Sequence, residues 1–333
     1  MSTNNRVDID ALRLQSIVAS HQTRQGHKVT ELTDVEFSLG AAGIVGTIGW
    51  VLAIRTPMRG LGPALLWTNK HNLSEVNVVV ESDAGVIARR ASLFDLQIRV
   101  WSLVGNQLVE ASASPIELHA VVPEHHVKFA ELIEHGGATV VTEHGVLAGE
   151  VLGLEVCRVV GDATSEDGAR LEIGVGSHDR QLFQMINGQS STVENLTNVV
   201  QFVSKIRGDR TAHHPLNRLA QERYLREMLI VNPHLIDANH LERAEPPVAR
   251  TNLKDATPCV AIGRKSGADL VAVCSAIADP DLVPFAADAR LAVRPNAELV
   301  LVVAPNNVFP SMKVLASSLH HRASFAVVDE NRL

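Results

Sequence analysis

The feature that most constrains this chain is a β-α-β-α-β scheme that occurs twice, once toward each end. The first copy predicts strands at residues 50–54, 75–80 and 98–101, with helices at 62–71 and 84–94 between them. The second predicts strands at 269–274, 298–303 and 325–328, with helices at 281–292 and 308–320. Runs such as 76–80 are apolar almost throughout, which marks strands covered on both faces by helices. Two such copies point to an internal duplication or to two related units, and to the α/β class.

The rest of the chain fits around these copies. Residues 8–27 predict an opening helix with Leu12, Leu14, Ile17 and Val18 on its apolar face. Glycine-punctuated extended segments at 35–39 and 41–48 lead as a hairpin into the first copy. Small residues and a proline at 110–118 mark a linker. Beyond it come a helix at 124–135, extended segments at 139–141, 146–151, 154–160 and 169–175, and helices at 180–186 and 192–206. Gly208 breaks the last of these, and Pro215 opens a helix that ends near Asn232-Pro233, where proline disfavours helical geometry before it. A hairpin turning at 263–267 then enters the second copy. The expected domains are 1–110, 119–208 and 213–330, two α/β domains flanking a small α+β module.

Composition narrows the function classes. With 333 residues, 46% hydrophobic and 20% charged, the chain is not disordered and can supply two or three domains, each with its own core. No run approaches the roughly 18–20 apolar residues of a membrane-spanning helix, and the N-terminus lacks a basic-then-apolar signal profile. A cytoplasmic location and no membrane partner are expected. Cys157, Cys259 and Cys274 lie far apart and in no CxxC arrangement, as reduced, buried thiols would. A net charge of −7 gives no global attraction to phosphate backbones, so any contact with nucleic acid needs a local basic patch.

The order helix, strand hairpin, α-β-α-β resembles the core of the restriction-endonuclease-like superfamily, the PD-(D/E)XK nucleases, in both halves. In the C-terminal half, Glu222-Arg223-Tyr224-Leu225 running into Asn232-Pro233-His234-Leu235-Ile236 is similar to the catalytic domain of the archaeal and actinobacterial mismatch-specific endonucleases. Strand 299–304 with Pro305 is similar to its later core. In the N-terminal half, segments 75–82 and 100–108 and the helix residues Ala88-Arg89-Arg90-Ala91 resemble the Mrr-type arrangement. Chemistry of that kind holds Mg²⁺ between an Asp on one hairpin strand and Glu-x-Lys on the next, with the lysine orienting the attacking water. Here the Glu-x-Lys place falls on Ala53 and Arg55 in the first half, and on Val273 and Ser275 in the second. The resemblance therefore implies degenerate nuclease folds, without a cofactor, kept for binding or assembly.

Chemistry has other places to sit. The middle module holds the densest acidic group, Glu150, Glu155, Glu172 and Asp179. A hairpin through the 161–169 turn brings Glu155 and Glu172 to one face beside Asp179. That predicts an Mg²⁺ or Mn²⁺ site with His178 as base and Arg158 or Arg180 supporting phosphate. An ordinary solvent-facing strand with alternating charge reads the same. Arg59-Gly60-Leu61-Gly62, with Glu81 and Asp83 ending the next strand, partly matches a dinucleotide fingerprint, but Leu65 stands at the third glycine position and a tight turn is the better reading.

Arg207, Arg210, Arg218, Arg223 and Arg226 make the most basic stretch. On one helix Asn217, Arg218, Gln221 and Arg226 share much of a face suited to phosphate or to an acidic protein surface. Three functional readings follow. One is a non-catalytic binding or scaffold protein that meets DNA or RNA through Arg207 to Arg226. A second is a metal-dependent nuclease or phosphodiesterase working through Glu155, Glu172 and Asp179. The third is a protein-interaction scaffold with no role for nucleic acid, which the acidic net charge favours.

Overall fold

Apolar strands separated by glycine and proline breaks gather into three sheets, and with the helices around them they make an α/β protein. The computed structural model describes residues 3–117, 120–187, 192–209, 214–250 and 256–329.

The first sheet is built from α1 (Thr3–Arg24), β1 (Thr33–Val35), β2 (Gly40–Val45), β3 (Ile48–Ala53), α2 (Leu61–Lys70), β4 (Glu75–Val80), α3 (Ala84–Ala91), β5 (Gln97–Val104) and β6 (Gln107–Glu110). Its strands lie in sequence order. β1 to β3 form an antiparallel meander, β4 and β5 run parallel to β3, and β6 closes antiparallel on β5. On α1, Leu14, Ile17 and Val18 are buried as expected, whereas Leu12 is exposed. At 100° per residue the buried stripe is Ala11, Leu14 and Val18, and Leu12 falls outside it.

The middle sheet follows α4 (Glu124–Val127) and α5 (Ala130–His135), which replace the single helix expected at 124–135. It is an antiparallel meander of β7 (Thr139–Glu143), β8 (Val146–Val151), β9 (Leu154–Gly161) and β10 (Ala169–Ile173), followed by α6 (Gly176–Asn187) and α7 (Val193–Gly208). Ile133, Leu154, Leu171, Leu196 and Val203 form its core. Leu216, Leu219 and Ala220 pack into the same core, so the module's packing runs past residue 208.

The third sheet repeats the plan of the first. Helix α8 (Gln221–Val231) precedes a meander of β11 (His240–Ala244), β12 (Cys259–Lys265) and β13 (Ala268–Ser275). Then α9 (Leu282–Val293), β14 (Glu298–Val303), α10 (Pro310–Ser317) and β15 (Ser324–Val327) add two parallel strands.

Alternation along the central strands explains the layering. In the first sheet Trp50, Leu52 and Val79 face α1, while Val51, Ala53 and Val78 face α2 and α3. In the third, Ala272, Cys274 and Val302 face α8, while Val271, Val273 and Leu301 face α9 and α10. The inner helices then pack on one another, so Leu61, Leu65 and Ile87 share one core with Val283, Phe285 and Leu315. The inner-face core is therefore common to the two halves, each covered on that face by the other, while each keeps a core of its own under α1 or α8.

The docking has an approximate two-fold relation. Phe94 bridges Leu319 antiparallel, the Asp95 N–H donates to the Ser318 carbonyl at 2.9 Å, and the His320 N–H donates to the Leu93 carbonyl at 3.0 Å. Exchanging the halves exchanges these two bonds, the self-complementarity of an isologous dimer held within one chain. Gly62 permits the approach. A Cβ there would lie 2.5 Å from the Pro280 carbonyl carbon, so a side chain would force the halves apart.

Candidate functional site

The expected basic face does not form. The helix predicted from Pro215 is a 3-10 turn, Pro215–Arg218, and a break at Ala220, whose φ is +47°, before α8 begins. Helix α8 then lies between the third sheet and the middle sheet, so both of its sides are covered. Gly153, at φ +75°, makes the second contact possible, since a Cβ there would fall 2.5 Å from the Arg223 carbonyl carbon.

Three arginines of this stretch, Arg207, Arg223 and Arg226, serve the fold. Arg207, fully buried, donates to the carbonyls of Leu152, Leu216 and Leu219 at 2.9–3.1 Å and holds the chain at the break. Arg223 pairs with Glu143 and Glu150, and Arg226 with Glu150 at 3.4 Å and Glu227 at 3.3 Å. Burial alone raises the Glu150 carboxyl, but the flanking Arg223 and Arg226 outweigh it and hold the group below the usual carboxylate range. Arg218 is exposed, and Arg210 lies outside the described residues.

The middle-module acids are brought together in part. Glu155 accepts from Arg158 at 2.7 and 2.8 Å and from Arg180 at 3.0 Å. Glu172, opposite Arg158 in the β9–β10 register, accepts from Arg170 at 2.7 Å and lies 3.5 Å from Arg180. Arg180 thus stands between the two carboxylates where a cation was expected. Arg158 and Arg180, read as phosphate supports, are already bound to acids, while Asp179 and His178 are exposed on the first turn of α6. Among the described residues no group of three His, Cys, Asp or Glu side chains is placed to hold a metal ion.

The Glu-x-Lys places are structural. Ala53, Val273 and Ser275 are buried, and Ser275 donates to the Ile277 carbonyl at 3.0 Å. Arg55 is tied to the Ser38 carbonyl at 2.8 Å and to Asp10 at 3.3 Å. All three cysteines are free and buried, and burial pushes the Cys157 thiol up to about 12, far from a nucleophile's range.

A different site lies at the junction of the halves. The turn at 59–62 leads into α2 as a tight turn, and its Arg59 lines a cavity of about 520 Å³. Met58, Arg59, Asp83 and Arg90 come from the first half, and Thr257, Asp279, Asp281 and Phe285 from the third. The cavity sits beyond the carboxyl ends of β3, β4 and β13, where open α/β sheets place ligands. Its floor is a buried ion cluster. Arg89 grips Asp288 at 2.7 and 3.0 Å, and Arg90 donates to Asp288 at 3.2 Å, to Asp281 at 3.3 Å and to the Met58 carbonyl at 3.0 Å. Arg59 donates to Asp279 at 2.7 Å, and Asp281 accepts from the Gly62 N–H at 2.9 Å. Among the described residues the Arg90 Nη2 is a buried donor with no partner.

The cluster joins residues about 200 positions apart, which is why sequence reasoning missed it. One signal was available. Asp288 is the one acid in LVPFAADARLAV, a helix that is otherwise apolar except for Arg290, and an acid in such surroundings requires a buried cation.

Burial, reinforced by Asp279, pushes the Asp281 carboxyl up to about 6 against the opposing Arg90 and Gly62 N–H. The folded chain then holds this proton more tightly than the unfolded chain, whose reference value is 3.8. That contribution to stability is complete below the unfolded value and is lost as pH rises through the folded one. Between about pH 4 and 6 the wild type is expected to lose on the order of 2–3 kcal/mol relative to Asp281→Asn. Urea unfolding of both proteins across that range measures it, and parallel curves would refute it.

No protein-family model, no curated protein and no solved structure matches the chain.

Proposed function

We propose that this chain is a non-catalytic binding or scaffold protein in which two degenerate nuclease-like α/β units are fused into an intramolecular pair, with the cleft at their junction as the binding site. The observation that carries this reading is the contrast between the two kinds of place. The positions where a PD-(D/E)XK nuclease keeps its metal carboxylate and lysine hold Ala53, Arg55, Val273 and Ser275, three of them in the core. The junction, by contrast, is an open cavity with convergent charged groups from both halves. The repeated order of helix, antiparallel meander, helix and parallel strand supports the nuclease-like origin of both units. Burial of Arg207, Arg223 and Arg226 favours a site that does not depend on nucleic acid.

The test is incubation of the purified chain with labelled single- and double-stranded DNA and RNA in Mg²⁺ or Mn²⁺, followed by anisotropy at two salt concentrations and gel analysis. Intact probes without salt-sensitive binding are expected. Cleavage that Asp179→Asn or Glu172→Gln abolishes would instead establish the metal-dependent nuclease, while salt-sensitive binding weakened by Arg218→Glu would restore the nucleic-acid reading.

A further inference from the structure

The first and third sheets match strand for strand except at one edge. In the first, β6 runs antiparallel along the outer side of β5, and the Ala111 N–H extends that pairing onto the Val100 carbonyl at 2.8 Å. Val100 lies opposite the fourth residue of β4 and Phe325 opposite the fourth residue of β14, so Phe325 holds the place of Val100 in the third sheet. There β15 is the last strand, and among the described residues none takes the place of β6.

The Val328 N–H donates to the Val303 carbonyl at 3.0 Å, which turns the even-numbered backbone groups of β15 toward β14. The N–H and C=O of one strand residue point to the same side, so those of Phe325 and Val327 point away from the sheet. Among the described residues they have no partner. Exposed edges of this kind are ordinarily guarded by charge. The other edge strands, β1, β6, β7, β10 and β11, carry Asp34, Glu110, Glu143, Arg170 and Glu242, whereas Ser324–Val327 carries no charged side chain. Val327 is 57% exposed. The chemistry that matches such an edge is another uncharged, apolar strand. A second copy of the chain brings one with it. Antiparallel pairing of β15 with its own copy about a two-fold axis at Ala326 sets Phe325 opposite the partner's Val327, and Val327 opposite the partner's Phe325. Each of these two pairs exchanges two hydrogen bonds, so four bonds satisfy every outward group of both strands. The axis falls on an alanine, small enough for the close approach of a non-hydrogen-bonded pair, and each exposed valine gains an aromatic neighbour.

We infer that β15 is a self-association surface, through which two copies of the chain join their third sheets, five strands each, into one continuous sheet. The inference is independent of the junction cavity, none of whose lining residues lies in β15. Sedimentation equilibrium of the full chain from about 1 to 500 μM tests it, and a dimer with a Kd below about 100 μM is expected. Val327→Pro removes two of the four bonds and spares the β14 ladder, because the lost N–H points outward. It should weaken the dimer by about tenfold or more. Val327→Lys, which guards the edge with a charge, should do the same, and it carries the test if the proline variant does not fold. Val109→Lys, a 52% exposed position on the edge strand β6, should leave the Kd unchanged. Ala326→Cys reads the register. Its thiol meets its own copy at the axis, within disulfide reach, so oxidised glutathione should link the dimer covalently, and the native cysteines are all buried. A chain that stays monomeric up to about 500 μM would overturn the inference. So would a dimer that folded Val327 variants leave intact, one that Val109→Lys weakens as much, or one that Ala326→Cys does not crosslink.

Discussion

Asp288→Ala is expected to destabilise the chain by about 3–5 kcal/mol, the cost of stripping the counter-charge from buried arginines. Asp288 is fully buried and accepts from both Arg89 and Arg90, which are 6% and 1% exposed. Arg89 would keep only the Ser114 side chain and the carbonyls of Ser114 and Pro115, and Arg90 only Asp281 and the Met58 carbonyl. The midpoint of urea unfolding reads the effect. A control lies across the same junction, where Asp95 pairs with His320 at side-chain exposures of 66% and 50%. Asp95→Ala should cost less than about 1 kcal/mol. Equal losses for the two variants would show that burial of the cluster does not matter. A large loss at Asp288 alone would place the junction, rather than either half, as the seat of stability, as a shared core requires.

The contrast between those two acids also explains what the sequence reveals. Strands β4 and β14 are legible to the residue because their near-continuous valine and leucine runs end at polar or turn residues. Helices α2 and α9 are legible within one residue at each end for a similar reason. The edge strands β1, β6 and β11 are short and polar, TDV, QLVE and HLERA, and carry no period that marks them. Their existence depends on a neighbouring strand that offers a ladder.

Charges fail in a more instructive way. Arg223 and Arg226 look solvated beside Glu222 and Glu227, yet their decisive partners are Glu143 and Glu150, 73 to 80 positions earlier. Local charge counting cannot tell an exposed basic face from a buried ion pair whose other member lies on a different sheet. The hairpin that brings Glu155 toward Glu172 was legible from its turn. That Arg180 from the following helix would occupy the space between them was not, because helix packing, rather than strand register, puts it there.

Glu150→Ala is expected to be the most damaging change outside the junction, at about 3–5 kcal/mol. Its carboxylate is 2% exposed and serves Arg223 and Arg226 together, so its loss leaves two buried guanidinium groups on α8 short of an anion. Glu143 and Glu227 keep one arginine each, which sets the cost near that of a broken pair rather than two. The pH dependence supplies a second readout. Because the folded carboxyl titrates below its reference value of 4.5, the stabilisation is present above that value and is lost as pH falls through the folded one. The wild type should therefore lose its advantage over Glu150→Gln on acidification below about pH 4.5, the opposite sign to Asp281. Hydrogen exchange in α8 distinguishes a local from a global effect. If Glu150 clamps the middle sheet to the third, its removal should speed exchange of the α8 amides and the β8–β9 turn while the α2 and α9 amides stay protected. Uniform acceleration across all three sheets would mean that the middle module is bound into a single cooperative unit with the fused pair.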